Sequence, residues 1–232
     1  MGLLTTEHGK TGYLADFVLY AVASATMGVL LAVVAPYARR AEILAFALLG
    51  LMAWTLVEYV LHRFVLHGIP PFKAWHAEHH RRPRALIGTP TILSAALIAV
   101  LVFLPALVLS DLWRACALTF GLLTGYFVYA VVHHATHHWR ADNAWLRQVK
   151  RHHSLHHSSI AAPSRYGVSS PFWDFVFGTN GRSDSLRHRT AKAGAEAGPD
   201  TQGIAVWENE GGASARQTAA LRRSAHIPHA TS

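Results

Sequence analysis

Thirteen of the 17 histidines fall between His62 and His157, in four groups. The first is His62-Arg-Phe-Val-Leu-His67, and the second is His76-Ala-Glu-His79-His80. The third holds His133, His134, His137 and His138, and the fourth His152, His153, His156 and His157. Neutral imidazole is a ligand for iron, zinc, copper and nickel. Residues three and four apart share a helix face, so His76, His79 and His80 converge, as do His153, His156 and His157. His133 and His137 are one turn apart, and so are His134 and His138. His62 and His67 are five apart, roughly 140° around an ideal helix. They require a local distortion, or they face different ions. One zinc takes about four ligands, so ten converging imidazoles fit two ions. A lone histidine would read as interfacial or as a core hydrogen-bonder. Two H-x-x-H-H boxes with one H-x4-H and one H-x3-H on one face are not a pattern that solvation or packing produces.

The elements that must position these groups are four apolar runs, each near the roughly 20 residues that span a bilayer core. Phe17–Ala35 is without Lys, Arg, Asp or Glu, Ile43–Leu61 contains Glu58, and Leu86–Ser110 and Ala115–Val132 are uncharged. None shows the polar stripe of a soluble helix. The last carries Thr119, Gly121, Thr124 and Gly125, a face suited to close helix contact. The links Pro36–Glu42 and Asp111–Arg114 are short, which predicts two tight hairpins. Four passes put both termini and all four histidine groups on one side. That side holds every one of the 21 Lys and Arg residues except Arg39, Arg40 and Arg114, so it is expected to be cytoplasmic. Glu7, His8 and Lys10 before the first run do not resemble a cleaved leader. The expected fold is all-α: an integral membrane four-helix bundle with a cytosolic helical cap carrying a histidine-rich dinuclear metal site.

Composition agrees. Charged residues make up only 15%, against about 25% in soluble domains. The net charge of +8 would suit nucleic acid or anionic lipid, and the apolar runs select lipid and membrane, with no nucleic acid. Cys116 is the one cysteine, which rules out an intrachain disulfide and a multi-thiolate site. Residues 1–179 read as the membrane domain. Residues 180–232, rich in Gly, Ala, Ser, Thr and Arg, read as a disordered tail whose His188, His226 and His229 receive no role.

The stretch Trp54–Pro71, WTLVEYVLHRFVLHGIPP, is similar to the first histidine box of fatty acid 2-hydroxylases. Lys150–Gly178, with KRHHSLHHS followed by YGVSSPFWDFVFG, resembles their last box and the motif after it. The chain thus resembles the fatty acid hydroxylase and sterol desaturase superfamily from about Trp54 to Gly178. Carried over by position, the resemblance implies the ligands His62, His67, His76, His79, His80, His133, His137, His153, His156 and His157. His133 and His137 are preferred to His134 and His138 because Tyr129–His137 matches the family's Y-x-x-x-H-x-x-x-H register, and His152 is left outside the ligand set. The resemblance implies two iron ions, with zinc also suited to a purified sample, and O2 as co-substrate. It implies electrons from an external ferredoxin- or cytochrome-type reductase chain and hydroxylation of a lipid, foremost a fatty acyl chain. Only eight residues separate His67 from His76, fewer than in the 2-hydroxylases and similar to bacterial carotenoid hydroxylases. A carotenoid or sterol hydroxylase or desaturase is therefore the alternative within the superfamily. The haem domain fused to many eukaryotic relatives is absent from this sequence, which points to a bacterial inner membrane, or to the endoplasmic reticulum if the source is eukaryotic.

Around the boxes, Glu58 lies one turn before His62 and is expected to orient a ligand histidine. Asp174 is expected to pair with a ligand histidine or an arginine. Ser170, Pro171 and Gly178 read as cap, first residue and stop of a short interfacial helix. Its Phe172 and Trp173, with Tyr166, are the expected substrate contacts, and Tyr166, Trp75, Trp139 and Trp145 also suit the headgroup level. A metal-binding or transport protein is the reading from another class. Transporters place polar ligands near the bilayer midplane, and the middles of these four runs hold no His, Asp or Glu. Nucleophile-elbow and P-loop motifs are absent from the sequence.

Overall fold

In the computed structural model, which describes residues 7–158 and 164–181, the regular elements among the described residues are helices, with a single isolated antiparallel bridge between Glu7 and Ile87. The chain divides into two compact units, Met1–Val132 and His133–Ser232. The expected tail, apart from residues 180 and 181, lies outside the described residues.

In the first unit, α1 spans Lys10–Val33 and α2 spans Arg40–Val60, followed by a π-helical turn over Leu61–Leu66. The short helix α3, Phe72–Arg81, carries the second histidine box. The third apolar run is α4, Thr91–Ile98, a second π turn over Ala99–Phe103, and α5, Leu104–Leu109. Helix α6, Leu112–His138, begins in this unit and ends in the second. Four segments are thus long and apolar enough to cross a membrane: Lys10–Val33, Tyr37–Leu66, Thr91–Leu109 and Leu112–His138. Their outward faces are apolar, with Val29 63%, Met52 65%, Leu101 66% and Val108 81% exposed. Such a surface is stable against lipid tails and unstable against water.

Lipid tails are as apolar as leucine, so close packing and buried polar pairs must hold the spans together. Gly50 of α2 and Gly121 of α6 supply the closest approach. A Cβ on Gly50 would lie 2.1 Å from the Leu118 carbonyl oxygen, and one on Gly121 would lie 1.9 Å from that of Ala47. Gly125 lies flat against Trp54, its ideal Cβ position 2.6 Å from the Trp54 ring. Tyr126 meets Tyr20 of α1 and Trp54 of α2 edge-on, with ring centroids 4.6 and 5.3 Å apart. Two polar pairs tie α1 to α4: Tyr20 Oη and Ser94 Oγ lie 2.6 Å apart, and Thr91 Oγ1 donates to Asp16 Oδ1 at 2.6 Å. The second pair satisfies Asp16, the one acidic residue of α1, a helix that starts at Lys10, seven residues before the apolar run predicted. At the hairpin turns, Arg39 donates to Glu42 and to Asp111 at 3.0 and 2.7 Å, and Arg114 pairs with Glu42. Beneath them pack Leu31, Ala35, Ile43, Cys116 and Ala117.

In the second unit, α6 continues as α-helix through His138, so the third histidine group lies within the helix. Helix α7, Ala144–Ser158, carries the fourth group. Asn143 Oδ1 accepts the Leu146 amide at 2.8 Å and caps its start. Lys150 is completely buried and its Nζ donates to the Trp139 carbonyl at 2.5 Å, closing the end of α6. The last described helix, α8, Phe172–Val176, starts one residue later than predicted. Ser170 Oγ accepts the Phe172 amide at 3.2 Å, and Gly178 follows at φ 68°, the left-handed stop.

Candidate metal centre

The first unit gathers four imidazoles. The ring nitrogens offered by His62, His67, His76 and His80 all lie within 4.8 Å of one another. His76 Nε2 is 3.0 Å from His62 Nε2 and 3.0 Å from His80 Nε2. The π turn explains how His62 and His67 take part. A π turn closes i to i+5, and the His67 amide donates to the His62 carbonyl at 3.3 Å. One extra residue in the turn brings two rings five apart to the same side, with centroids 5.3 Å apart. This is the local distortion that their spacing requires. His79 stacks on His76 at 5.7 Å and is 5% exposed.

The second unit gathers four more. His133, His137, His153 and His157 offer ring nitrogens that also lie within 4.8 Å of one another. His137 Nε2 is 3.2 Å from His133 Nε2 and 2.9 Å from His153 Nε2, and His153 Nε2 is 3.0 Å from His157 Nε2. Helical spacing of four supplies the pairs 133/137 and 153/157. His134 and His138 stack on each other at 4.4 Å, rings nearly parallel, and are not in that group. His156 is completely buried, and its Nδ1 donates to the Ser164 carbonyl at 2.7 Å.

Each imidazole nitrogen has one in-plane site, a lone pair or an N–H, and can serve one good hydrogen bond. His76, His137 and His153 each place Nε2 at about 3 Å from two other imidazole nitrogens. Hydrogen bonding among the rings cannot satisfy such shared contacts, and a cation at the centre can. Nitrogens bound about 2.1 Å from one ion lie about 3.0 Å apart at right angles and about 3.4 Å apart at tetrahedral angles. The observed 2.9–3.2 Å is of the size expected between nitrogens that share one ion. Two of the rings are held in the neutral form that a ligand requires. Burial, with the Lys73 charge, pushes His67 down to about 4. Burial and then the imidazoles of His62, His80, His79 and His67 hold His76 well below the ordinary histidine range. Both therefore keep a lone pair at neutral pH.

Of the supporting residues, Glu58 is 4% exposed within α2. Asp174 is completely buried and accepts from the Tyr166 and Gly167 amides at 2.8 Å each, from Thr179 Oγ1 at 2.7 Å and from His152 Nε2 at 3.2 Å. Burial opposes its ionisation, and these four hydrogen bonds outweigh that, holding the carboxyl below its usual value. Its histidine partner is His152, which is neither in the ligand set nor an arginine. Tyr166 is 7% exposed with its ring 5.7 Å from that of His156, so it does not sit in an aromatic belt. Trp139 and Trp145 are 50% and 56% exposed, as such a belt requires. Phe172 is 56% exposed and Trp173 stacks on Phe177 at 5.8 Å. The buried Lys150 and the Ser164 carbonyl were missed in the sequence. Lysine inside a histidine box reads as solvated, and a main-chain acceptor leaves no residue-type signal.

The fatty acid hydroxylase family profile matches residues 47–179, which include both quartets, His79, His156 and Asp174. A dihydroceramide fatty acyl 2-hydroxylase of Arabidopsis thaliana is 33% identical over 141 residues, covering 56% of this chain and 58% of that protein. A ceramide very long chain fatty acid hydroxylase of Schizosaccharomyces pombe is 35% identical over 150 residues, covering 60% of this chain and 43% of that protein. The chain therefore spans less than two thirds of these relatives' length. Among solved structures, full-length scs7p, in which only the hydroxylase domain is visible, superimposes with a TM-score of 0.62 at 28% identity, over 75% of this chain and 67% of that one. With more than half of its residues inside that profile, the chain belongs to the fatty acid hydroxylase family.

Proposed function

We propose that this protein is a membrane lipid hydroxylase in which His62, His67, His76, His79, His80, His133, His137, His153, His156 and His157 hold two iron ions. The observation that carries the reading is the two imidazole quartets, in which His76, His137 and His153 each share one Nε2 between two other imidazole nitrogens, more than one ring nitrogen can serve by hydrogen bonding. All ten candidate ligands are imidazole nitrogens, a donor type that suits iron as well as zinc. Each quartet holds one ion, and His79 and His156 supply the other two ligands. When bound, the irons supply the O2 chemistry that side chains cannot, converting RH, O2, two electrons and two protons to ROH and water.

The chain's own residues bind, orient and exclude. Lowered proton affinity keeps His67 and His76 neutral and able to ligate. The Ser164 carbonyl fixes the proton of His156 on Nδ1. Glu58 lies one turn before His62 and orients a ligand ring from within the bundle. Tyr166, packed on His156, borders the reacting carbon, while Phe172 and Trp173 guide the apolar chain. The four spans lie in the bilayer, with the metal face and both termini on the basic, cytoplasmic side, so an acyl chain enters laterally. Electrons come from a separate ferredoxin- or cytochrome-type partner. Residues 1–179 form the hydroxylase module, and the substrate class, a fatty acyl chain of a lipid, follows the relatives.

Expression in a host of defined lipids under 18O2, followed by mass spectrometry of extracted lipids, tests this. An acyl species carrying one labelled oxygen atom, absent from the His79→Ala and His156→Ala variants, is expected. Label in a carotenoid or sterol would replace the substrate assignment, and no labelled lipid with a functional electron donor present would overturn the function.

A further inference from the structure

One peptide plane joins His156 to Asp174. The carbonyl of Ser164 accepts His156 Nδ1–H at 2.7 Å, and the N–H of the same peptide, at Arg165, donates to the Thr179 carbonyl at 2.8 Å. Thr179 is in turn fixed twice on Asp174: its Oγ1 donates to Oδ1 at 2.7 Å and its amide to the Asp174 main-chain carbonyl at 2.8 Å. The Asp174 carboxylate also gathers the amides of Tyr166 and Gly167, the two residues that follow Arg165. Arg165 sits at φ 61°, a left-handed conformation that a non-glycine residue keeps only where its surroundings over-determine it. Here they do, since both ends of its peptide are bonded. A side chain on Gly167 would strike the Ser170 carbonyl at 2.0 Å, so the loop has no slack there.

We propose that Asp174 is a positioning residue. Through Thr179 and the Ser164–Arg165 peptide it fixes His156 in the tautomer that keeps the proton on Nδ1 and the lone pair on Nε2. A histidine ligand needs its other nitrogen held in this way, and loss of the holding group usually weakens metal binding 10- to 100-fold. The four donors on Asp174 are all explained by this loop except His152, a neighbour of His153. That contact makes the rival route: Asp174 steadies α7 through His152 instead of acting through the loop. The inference rests on the reading of His156 as a ligand.

The test uses the full chain in detergent. In metal-free protein, 15N-histidine NMR reads the His156 tautomer directly. In Co2+ titrations, absorption bands report each ion bound. Asp174→Asn places an NH2 group against the Gly167 amide or the Thr179 hydroxyl. It should lose the protected Nδ1–H signal of His156 and bind one of two Co2+ ions 10- to 100-fold more weakly. Thr179→Val keeps the backbone and should shift both readouts the same way by less. His152→Ala should leave both unchanged. An Nδ1–H signal intact in Asp174→Asn overturns the proposal, as does a His152→Ala variant that matches it. If Asp174→Asn does not fold, Thr179→Val decides, and an unchanged tautomer there overturns the proposal too. Wild-type protein that binds no Co2+ would refute the metal centre, while the tautomer comparison would still decide the role of Asp174.

Discussion

Alanine at Gly121 should force α2 and α6 apart. Its Cβ would lie 1.9 Å from the Ala47 carbonyl oxygen and 2.7 Å from the Leu51 nitrogen, where real Cβ contacts stay above 3.0 Å. Both atoms belong to the main chain of α2, so neither can swing aside, and the helices must separate by about 1 Å. Overpacking of this kind costs about 1–3 kcal/mol. Separation also opens the contact at Gly50, which meets the Leu118 carbonyl on the same seam. At roughly 2–4 °C per kcal/mol for a chain of this size, the midpoint should fall by about 2–12 °C. Tryptophan fluorescence during heating in a mild detergent reads it. Two controls grade the effect. At Gly28 the new methyl meets only the edge of the Phe120 ring at 3.0 Å, and at Gly88 it meets nothing within 4 Å. The expected order of midpoints is Gly88→Ala, then Gly28→Ala, then Gly121→Ala well below both. A Gly121→Ala protein that melts with Gly88→Ala would refute the close helix crossing.

Other perturbations address the metal centre and the spans. His76→Ala removes the nitrogen shared by two neighbours and should lower metal content from about two to about one ion per chain, measured by elemental analysis; His153→Ala should do the same through the other quartet. Metal-stripped protein should lose stability in acid. His67 titrates near 4 and His76 is also lowered, whereas unfolded histidine titrates near 6.5, so the folded state binds fewer protons. That stability is fully present above pH 6.5 and is lost as pH falls toward 4, and midpoints that do not fall between pH 7 and pH 5 would contradict it. Tyr20→Phe deletes one member of the Tyr20–Ser94 pair and should cost under about 1 kcal/mol, as intramembrane hydrogen bonds do, with Ser94→Ala adding little in the double variant.

Much of the site was legible because its ligand type is rare and helical spacing is simple. The H-x3-H and H-x-x-H-H boxes place their rings by spacing alone, and the conflict between His62 and His67 was itself the sign of an irregular turn. The Gly121 and Gly125 face was legible as a close contact, since small residues in an apolar run have few other uses. Span boundaries were harder. Lys10 and Asp16 interrupt the apolar signal, and Asp16 meets its hydrogen-bond donor, Thr91, 75 residues away. Burial of Lys150 and Tyr166 escaped notice for a similar reason. Lys150 is satisfied by the Trp139 carbonyl, which no pattern marks, and Tyr166 reaches the His156 ring along a loop path that residue types do not reveal. Asp174 was singled out for a ligand histidine or an arginine, but its partners are His152, the Thr179 hydroxyl and two main-chain amides, which follow from the loop's path.

The π turn over Leu61–Leu66 bears on how this box can change length. A π turn is an α-helix with one residue inserted, and here the inserted residue lies between two rings that must face the same way. Deleting one residue from Arg63–Leu66 would return the segment to regular α-helix and leave the two histidines four apart, again on one side. The same segment with a residue added would have no regular turn to fall back on. Length variation at this box should therefore run one way: shortening by one is tolerated and lengthening by one is not.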